Sequence, residues 1–142
     1  MTSQAIDALH QVHTATNDVL KGFREMTARA EPEIQPVILR LTELHERHAA
    51  EQEAELARLH DSGADDSSLQ GSVNVVVVTL RDWLTHLDSA VLPAVRQGEE
   101  AVRDEYDKTL QQGLIAGDGS VIELLTSQRD AINSEIARLP EH

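Results

Sequence analysis

Two histidines three residues apart, His45 and His48, lie in the middle of a long helix-forming segment. Glu51, Gln52 and Glu55 continue at spacings of three or four residues, so all five side chains can share one stripe of a helix. That stripe is where a helical bundle normally carries leucines. Imidazole and carboxylate groups that face a bundle interior can ligate a transition metal ion or exchange protons.

A second histidine pair, His10 and His13, lies on the preceding predicted helix. Folding the two helices about a turn near residue 31 brings residue 13 opposite residue 48 or 49, so that both pairs meet near Glu51. A later helix places Glu99 at an inward-facing position. Nitrogen and oxygen ligands of this kind suit iron, zinc, copper or nickel. The candidate metal ligands are His13, His45, His48, Glu51 and Glu99.

The elements that must position these residues are four amphipathic helices. Apolar residues recur at three- and four-residue spacings, which predicts helix seams that pack against one another. Proline marks several boundaries, because it is tolerated in a first helical turn and disfavours helix in the residue before it. The predicted helices span residues 3–30, 33–60, 89–112 and 120–139.

Residues 71–87, between the second and third helices, are the ambiguous segment. A β-branched run at 75–78 suits a strand, but a lone strand would lack partners for its backbone groups. Apolar residues here also follow the helical period, so we predict a helical crossover. If it crosses the bundle diagonally, the second and third helices begin at the same end, which is a ferritin-like arrangement. If 71–106 is one continuous kinked helix, the bundle runs up-down-up-down.

Length and composition predict one all-α domain over residues 1–142. The chain lacks cysteine, which excludes disulfides, thiol nucleophiles and iron–sulfur clusters. Its net charge of −13 argues against nucleic acid and anionic membranes as partners. The first residues have neither a basic start nor an apolar core, so no signal peptide is predicted and we expect a cytoplasmic protein.

Several short motifs, in this order and spacing, resemble a known family. They are Gly22-Phe23, the segment Arg47-His48-Ala49-Ala50-Glu51, Gly71-Ser72 with the later Trp83, and Gly98-Glu99-Glu100 followed by Tyr106. The chain resembles the ferritin-like four-helix bundles catalogued as a domain of unknown function, which are similar in architecture to rubrerythrins and bacterioferritins. The resemblance covers nearly the whole chain and implies a ferritin-like fold without an established activity.

Ferritin-like di-iron proteins take a Glu from each of two helices and a Glu-x-x-His pair from each of the other two. No glutamate in this chain is followed three residues later by a histidine. The second helix offers His45-x-x-His48 instead, and the fourth offers Gln128-x-x-Ala131. A haemerythrin-like site is also disfavoured, because His45 and His48 have no Glu four residues on. We therefore predict a degenerate di-iron centre.

Two functions follow as hypotheses, and neither assigns a catalytic residue. The first is a non-enzymatic bundle that acts as an interaction or stress-associated protein, needs no cofactor, and forms a homodimer or binds a protein partner through residues 75–78. The second is a metal-binding or metal-dependent redox protein that uses the five candidate ligands with iron or another divalent transition metal. A third reading of the histidines is pH sensing between about pH 5 and 7, where neighbouring imidazoles would charge and repel. Tyr106 is expected to be a core aromatic whose hydroxyl binds a histidine or Glu99.

Overall fold

A computed structural model describes residues 2–61, 88–113, 115 and 117–140. The described residues form four long helices, and a short 3-10 turn, Ser89–Val91, precedes the third of them. The helices are α1 (Thr2–Thr27), α2 (Gln35–Asp61), α3 (Leu92–Gln111) and α4 (Gly119–Ile136). The prediction of an all-α chain with four helices packed as a bundle is confirmed.

The turn between α1 and α2 is longer than the sequence predicted. Helix α1 ends at Thr27 and not near residue 30, and α2 begins at Gln35 and not near residue 33. The Gln35 side-chain amide donates to the carbonyls of Thr27 and Ala30 at 3.2 and 3.0 Å. These bonds give partners to carbonyls at the end of α1 that its last turn leaves without helical partners. The turn therefore spans residues 28–34.

The ends of the other helices depend on side chains from neighbouring elements. Asp118 caps α4 by accepting from the Val121 amide at 3.1 Å, as expected for an acidic N-cap. Helix α4 ends at Ile136, three residues before the predicted end. Arg96 of α3 donates to the carbonyls of Ile136 and Leu139 at 2.9 and 2.7 Å, and these contacts tie the final turn to α3.

The directions of the helices follow from contacts between them. Helix α1 packs against α2 and α3, while α4 packs against α3 and α2. His45 and Gln52 of α2 contact Glu99 and Tyr106 of α3 in the same order along both helices, so α2 and α3 run parallel. Both begin at the same end of the bundle, as the single-crossover topology requires. The predicted helical crossover itself, residues 71–87, lies outside the described residues.

A continuous apolar core fills the space between the four helices. Its largest fully buried side chains are Phe23, Ile6, Leu9, Met26, Ile34, Ile38, Leu41, Leu59, Ile115, Leu125 and Tyr106. Polar side chains interrupt this core near its middle, on all four helices. Within the described ranges, no helix combines the length and apolar character needed to cross a membrane.

Candidate functional site

Each of the four helices contributes one buried side chain to a hydrogen-bonded cluster, here called the polar layer. Its members are Thr16 of α1, Gln52 of α2, Tyr106 of α3 and Gln128 of α4. The Gln52 Nε2 atom lies 3.1 Å from Thr16 Oγ1, 2.8 Å from the Tyr106 hydroxyl and 3.0 Å from Gln128 Oε1. An amide nitrogen has two hydrogens, so three acceptors share two donors at this point.

Tyr106 and Gln128 extend the polar layer towards the surface of the bundle. The Tyr106 hydroxyl donates to Gln128 Oε1 at 2.8 Å, and burial raises the pKa of this hydroxyl above its ordinary value. Gln128 Nε2 then donates to the His48 carbonyl at 3.2 Å and to the exposed Glu51 carboxylate at 2.9 Å. The hydroxyl stays protonated in the physiological range, so the layer acts as a structural set of neutral groups joining four helices.

A histidine–carboxylate pair lies deeper in the core, towards the N-terminal ends of α2 and α3. His45 Nε2 is 2.7 Å from Glu99 Oε1, and neither side chain is exposed to solvent. The His45 ring stacks on Phe23 of α1 at a centroid distance of 5.6 Å. His45 Nδ1 and Glu99 Oε2 have no hydrogen-bond partner among the described residues. The pair thus links α2 and α3 while half of its polar atoms are buried without compensation.

His48 lies beside this pair, with its ring edge-on to that of His45 at 6.0 Å. It is 3% exposed. Burial lowers its pKa to about 3, helped by the nearby charges of His45 and Arg47. The folded protein therefore holds His48 neutral between pH 5 and 7. The pH-sensing hypothesis, which needs this histidine to charge in that range, is contradicted for His48.

The structure does not bring all five predicted ligands together. His45, His48 and Glu99 are neighbours, but His13 is half-buried and lies 3.1 Å from Glu53. Residue 13 is thus opposite residue 53, and its predicted position opposite residue 48 or 49 is wrong. Gln52 of α2 likewise contacts Thr16 of α1, so the α1/α2 register differs from the predicted one by at least one helical turn. Glu51 is exposed and contacts Gln128.

The donor set does not fit a di-iron centre. Such a centre takes four carboxylates and two histidines from the bundle interior. Glu99 is the only buried carboxylate residue among those the structure describes. In the same part of the chain, no three or more His, Asp or Glu side chains are placed to hold a metal ion. The polar-layer side chains of α1, α2 and α4 carry a hydroxyl and two amides, and none of them is a carboxylate.

The polar layer was visible in the sequence only in part. Thr16 stands at a seam position of the first helix, Gln52 lies on the His/Glu stripe and Gln128 flanks the seam of the fourth helix. Polar residues at core positions are the signal that could have identified it. The prediction that Tyr106 is a core aromatic whose hydroxyl bonds a neighbouring side chain is confirmed. The neighbours are Gln52 and Gln128, and neither of the suggested partners, a histidine or Glu99, is among them.

Comparison with known proteins places the chain in a family without assigning a function. A profile described as a domain of unknown function, DUF2383, matches residues 4–112, from the first turns of α1 to the end of α3. A search of curated proteins and a search of solved structures each gave no match. The matched region holds every member of the buried polar groups except Gln128. The chain therefore belongs to the DUF2383 family of domains of unknown function.

Proposed function

We propose that this protein is a non-enzymatic, ferritin-like bundle in which the polar layer stands in place of a di-iron centre, and that it acts as an interaction or stress-associated protein. The observation that carries the proposal is the chemistry of that layer. Two amides and two hydroxyls bind one another across all four helices. These groups have little affinity for iron. Hydrogen bonds occupy most of their polar atoms, and Gln52 Oε1 is the one atom of the layer that is buried without a partner among the described residues.

Further support for the proposal comes from the carboxylate count. A pair of iron ions needs several negative ligands to balance its charge, and Glu99 alone lies in the described core. That carboxylate already accepts a hydrogen bond from His45 at 2.7 Å. An iron ion at Glu99 would have to displace this hydrogen bond, and a single carboxylate would then balance only one of its positive charges. The parallel α2 and α3 support the ferritin-like part of the proposal.

A homodimer or a protein partner belongs to the same proposal. The apolar run on which a dimer interface was predicted, residues 75–78, lies outside the described residues. On the part of the surface that the structure describes, Leu39 is the one large hydrophobic residue that is strongly exposed, at 43%. Light scattering after size-exclusion chromatography tests the proposed dimer, and a monomer at all concentrations would contradict it.

The experiment that tests the main proposal is iron uptake by untagged protein. Fe(II) is added without oxygen, free iron is removed, and bound iron is measured in the wild type, in Glu99→Gln and in His13→Ala. We expect no stoichiometric iron in any of them, and no catalysed Fe(II) oxidation when air is admitted. Stoichiometric iron that is lost in Glu99→Gln and kept in His13→Ala would contradict the proposal.

The alternative proposal is a metal-binding or metal-dependent redox protein that uses His45, His48 and Glu99. The observation in its favour is that three atoms, His45 Nδ1, His48 Nδ1 and Glu99 Oε2, are buried without hydrogen-bond partners in the part of the chain that the structure describes. Buried polar atoms of this kind call for an ion, a water molecule or a functional reason. Titration with zinc and copper separates the two proposals, because only the alternative predicts that His48→Ala removes bound metal.

A further inference from the structure

A different pair of histidines faces each other at the far end of the α1/α2 interface. His10 of α1 and His60 of α2 are both half-buried, and their ring centroids are 6.4 Å apart with an interplanar angle of 58°. His60 lies eight residues beyond Gln52, which is about 12 Å along the helix axis. The pair is therefore separate from the polar layer and from the His45–Glu99 contact.

The distance between the rings is close to that of two imidazoles sharing one metal ion. A Zn–N bond is about 2.0–2.1 Å, and an imidazole nitrogen lies about 1.1 Å from its ring centre, so the two centroids of a bound pair lie roughly 5–6.5 Å apart. The observed 6.4 Å falls at the wide end of this range. At this centroid distance, an ion shared by the two rings would have a wide angle between its two nitrogen ligands.

The surroundings of the pair favour a cation. The chain carries a net charge of −13, which raises the concentration of cations at its surface. Asp7, also half-buried, precedes His10 by one helical turn. Because both imidazoles are partly open to solvent, an ion could enter without local unfolding and water could fill the remaining coordination positions.

We propose that His10 and His60 form a two-histidine site for a divalent transition metal ion. Neutral imidazole suits zinc, copper and nickel, and affinities for nitrogen sites rise from cobalt through nickel to copper and are lower again for zinc. The site therefore binds Cu²⁺ most tightly and Ni²⁺ and Zn²⁺ less tightly. It crosslinks the C-terminal end of α2 to the N-terminal part of α1. This inference goes beyond the proposed function, which concerns the interior of the bundle.

Isothermal titration of untagged protein with Cu²⁺, Ni²⁺ and Zn²⁺ tests the site. We expect one ion per chain, in the affinity order given above, and at least tenfold weaker binding in His10→Ala and in His60→Ala. The His10→Ala/His60→Ala double variant should bind at least as weakly as either single variant, because it retains neither imidazole ligand. Binding should also weaken at acid pH, since protons compete for the imidazole nitrogens.

His13→Ala is the matched control, because His13 lies one turn from His10 on the same helix and is also half-buried. It should keep wild-type affinity. Circular dichroism checks that each variant is folded. If His60→Ala does not fold, His60→Gln replaces it in the titration. Unchanged binding in the His10 and His60 variants would overturn the proposal, as would an equal loss in His13→Ala. Loss of metal binding in His48→Ala alone would contradict the proposed function and would also overturn the site at His10 and His60.

Discussion

Lowering the pH should destabilise the protein through His48, and the structure gives the size of the effect. The pKa of His48 is about 3 in the folded protein, against 6.5 for an ordinary histidine, because the buried site disfavours the charged ring. Below pH 6.5 the unfolded chain binds a proton at this position and the folded chain does not. Stability therefore falls as the pH falls, by about 1.36 kcal/mol for each pH unit.

At pH 4.5, two units below the unfolded pKa, this single histidine should have reduced the free energy of unfolding by about 2.7 kcal/mol. The figure changes little if the folded pKa lies anywhere well below 4.5. The full loss, reached only below pH 3, is about 5 kcal/mol, which is comparable to the whole stability of many small domains.

The assay is urea unfolding followed by circular dichroism between pH 4.5 and 7.5, on the wild type and on His48→Gln. The variant removes the proton-binding ring but keeps a polar side chain, so its stability should fall less steeply with pH. The difference in slope should approach 1.36 kcal/mol per pH unit between about pH 4.5 and 6. His13→Gln, at a half-buried position, is the control and should change the slope less. Parallel pH profiles for wild type and His48→Gln would refute the reasoning.

Three further predictions concern stability and use urea unfolding. Glu99→Leu should lower the free energy of unfolding by about 3–5 kcal/mol, because it leaves His45 buried without its partner. The double variant Glu99→Leu/His45→Leu should recover part of that loss, whereas additive losses from the two substitutions would contradict a coupled pair. Gln128→Leu should lower the free energy of unfolding by about 2–3 kcal/mol, and by more than Gln52→Leu does. Only Gln128→Leu removes the acceptor of the buried tyrosine hydroxyl, so a larger loss in Gln52→Leu would contradict this assignment of donor and acceptor. Asp118→Ala should lower the free energy of unfolding by about 1–2 kcal/mol, because it removes the N-cap of α4. Asp118→Asn should retain most of the stability, and equal losses in the two variants would show that capping does not explain the effect.

The helices were predictable from the sequence because their seams and their stop signals are local. Apolar residues at three- and four-residue spacings identify α1, α2, α3 and α4 without reference to any partner. Pro36 and Pro93 each lie within the first turns of a helix, where proline is tolerated. The parallel direction of α2 and α3 was one of two topologies left open by the sequence. Contacts such as His45–Glu99 decide it, and no local pattern contains them.

The candidate site was harder to predict because it depends on register. His45, His48 and Glu99 were identified as inward-facing, and the structure brings them together. His13 was assigned to the same group, but the register in which α1 and α2 pack places it beside Glu53. Sequence alone does not reveal that the Gln35 side chain binds back to the end of α1.

The polar layer shows a second limit of sequence reasoning. Polar residues at seam positions could have been ligands, catalytic groups or hydrogen-bonded core residues. The choice depends on which atoms face one another, and three contacts around Gln52 Nε2 settle it for the described structure. A single inserted or deleted residue in any helix would have produced a different set of neighbours.

The central claim is that the buried polar groups do not hold a metal ion. Elemental analysis of untagged protein tests it most directly, carried out on the His10→Ala/His60→Ala variant so that ions at the surface pair do not contribute. We expect less than stoichiometric iron, zinc and copper, both as purified and after incubation with each ion and removal of the excess. One bound ion per chain that is lost on adding Glu99→Gln or His48→Ala would contradict the claim and establish a metal site inside the bundle.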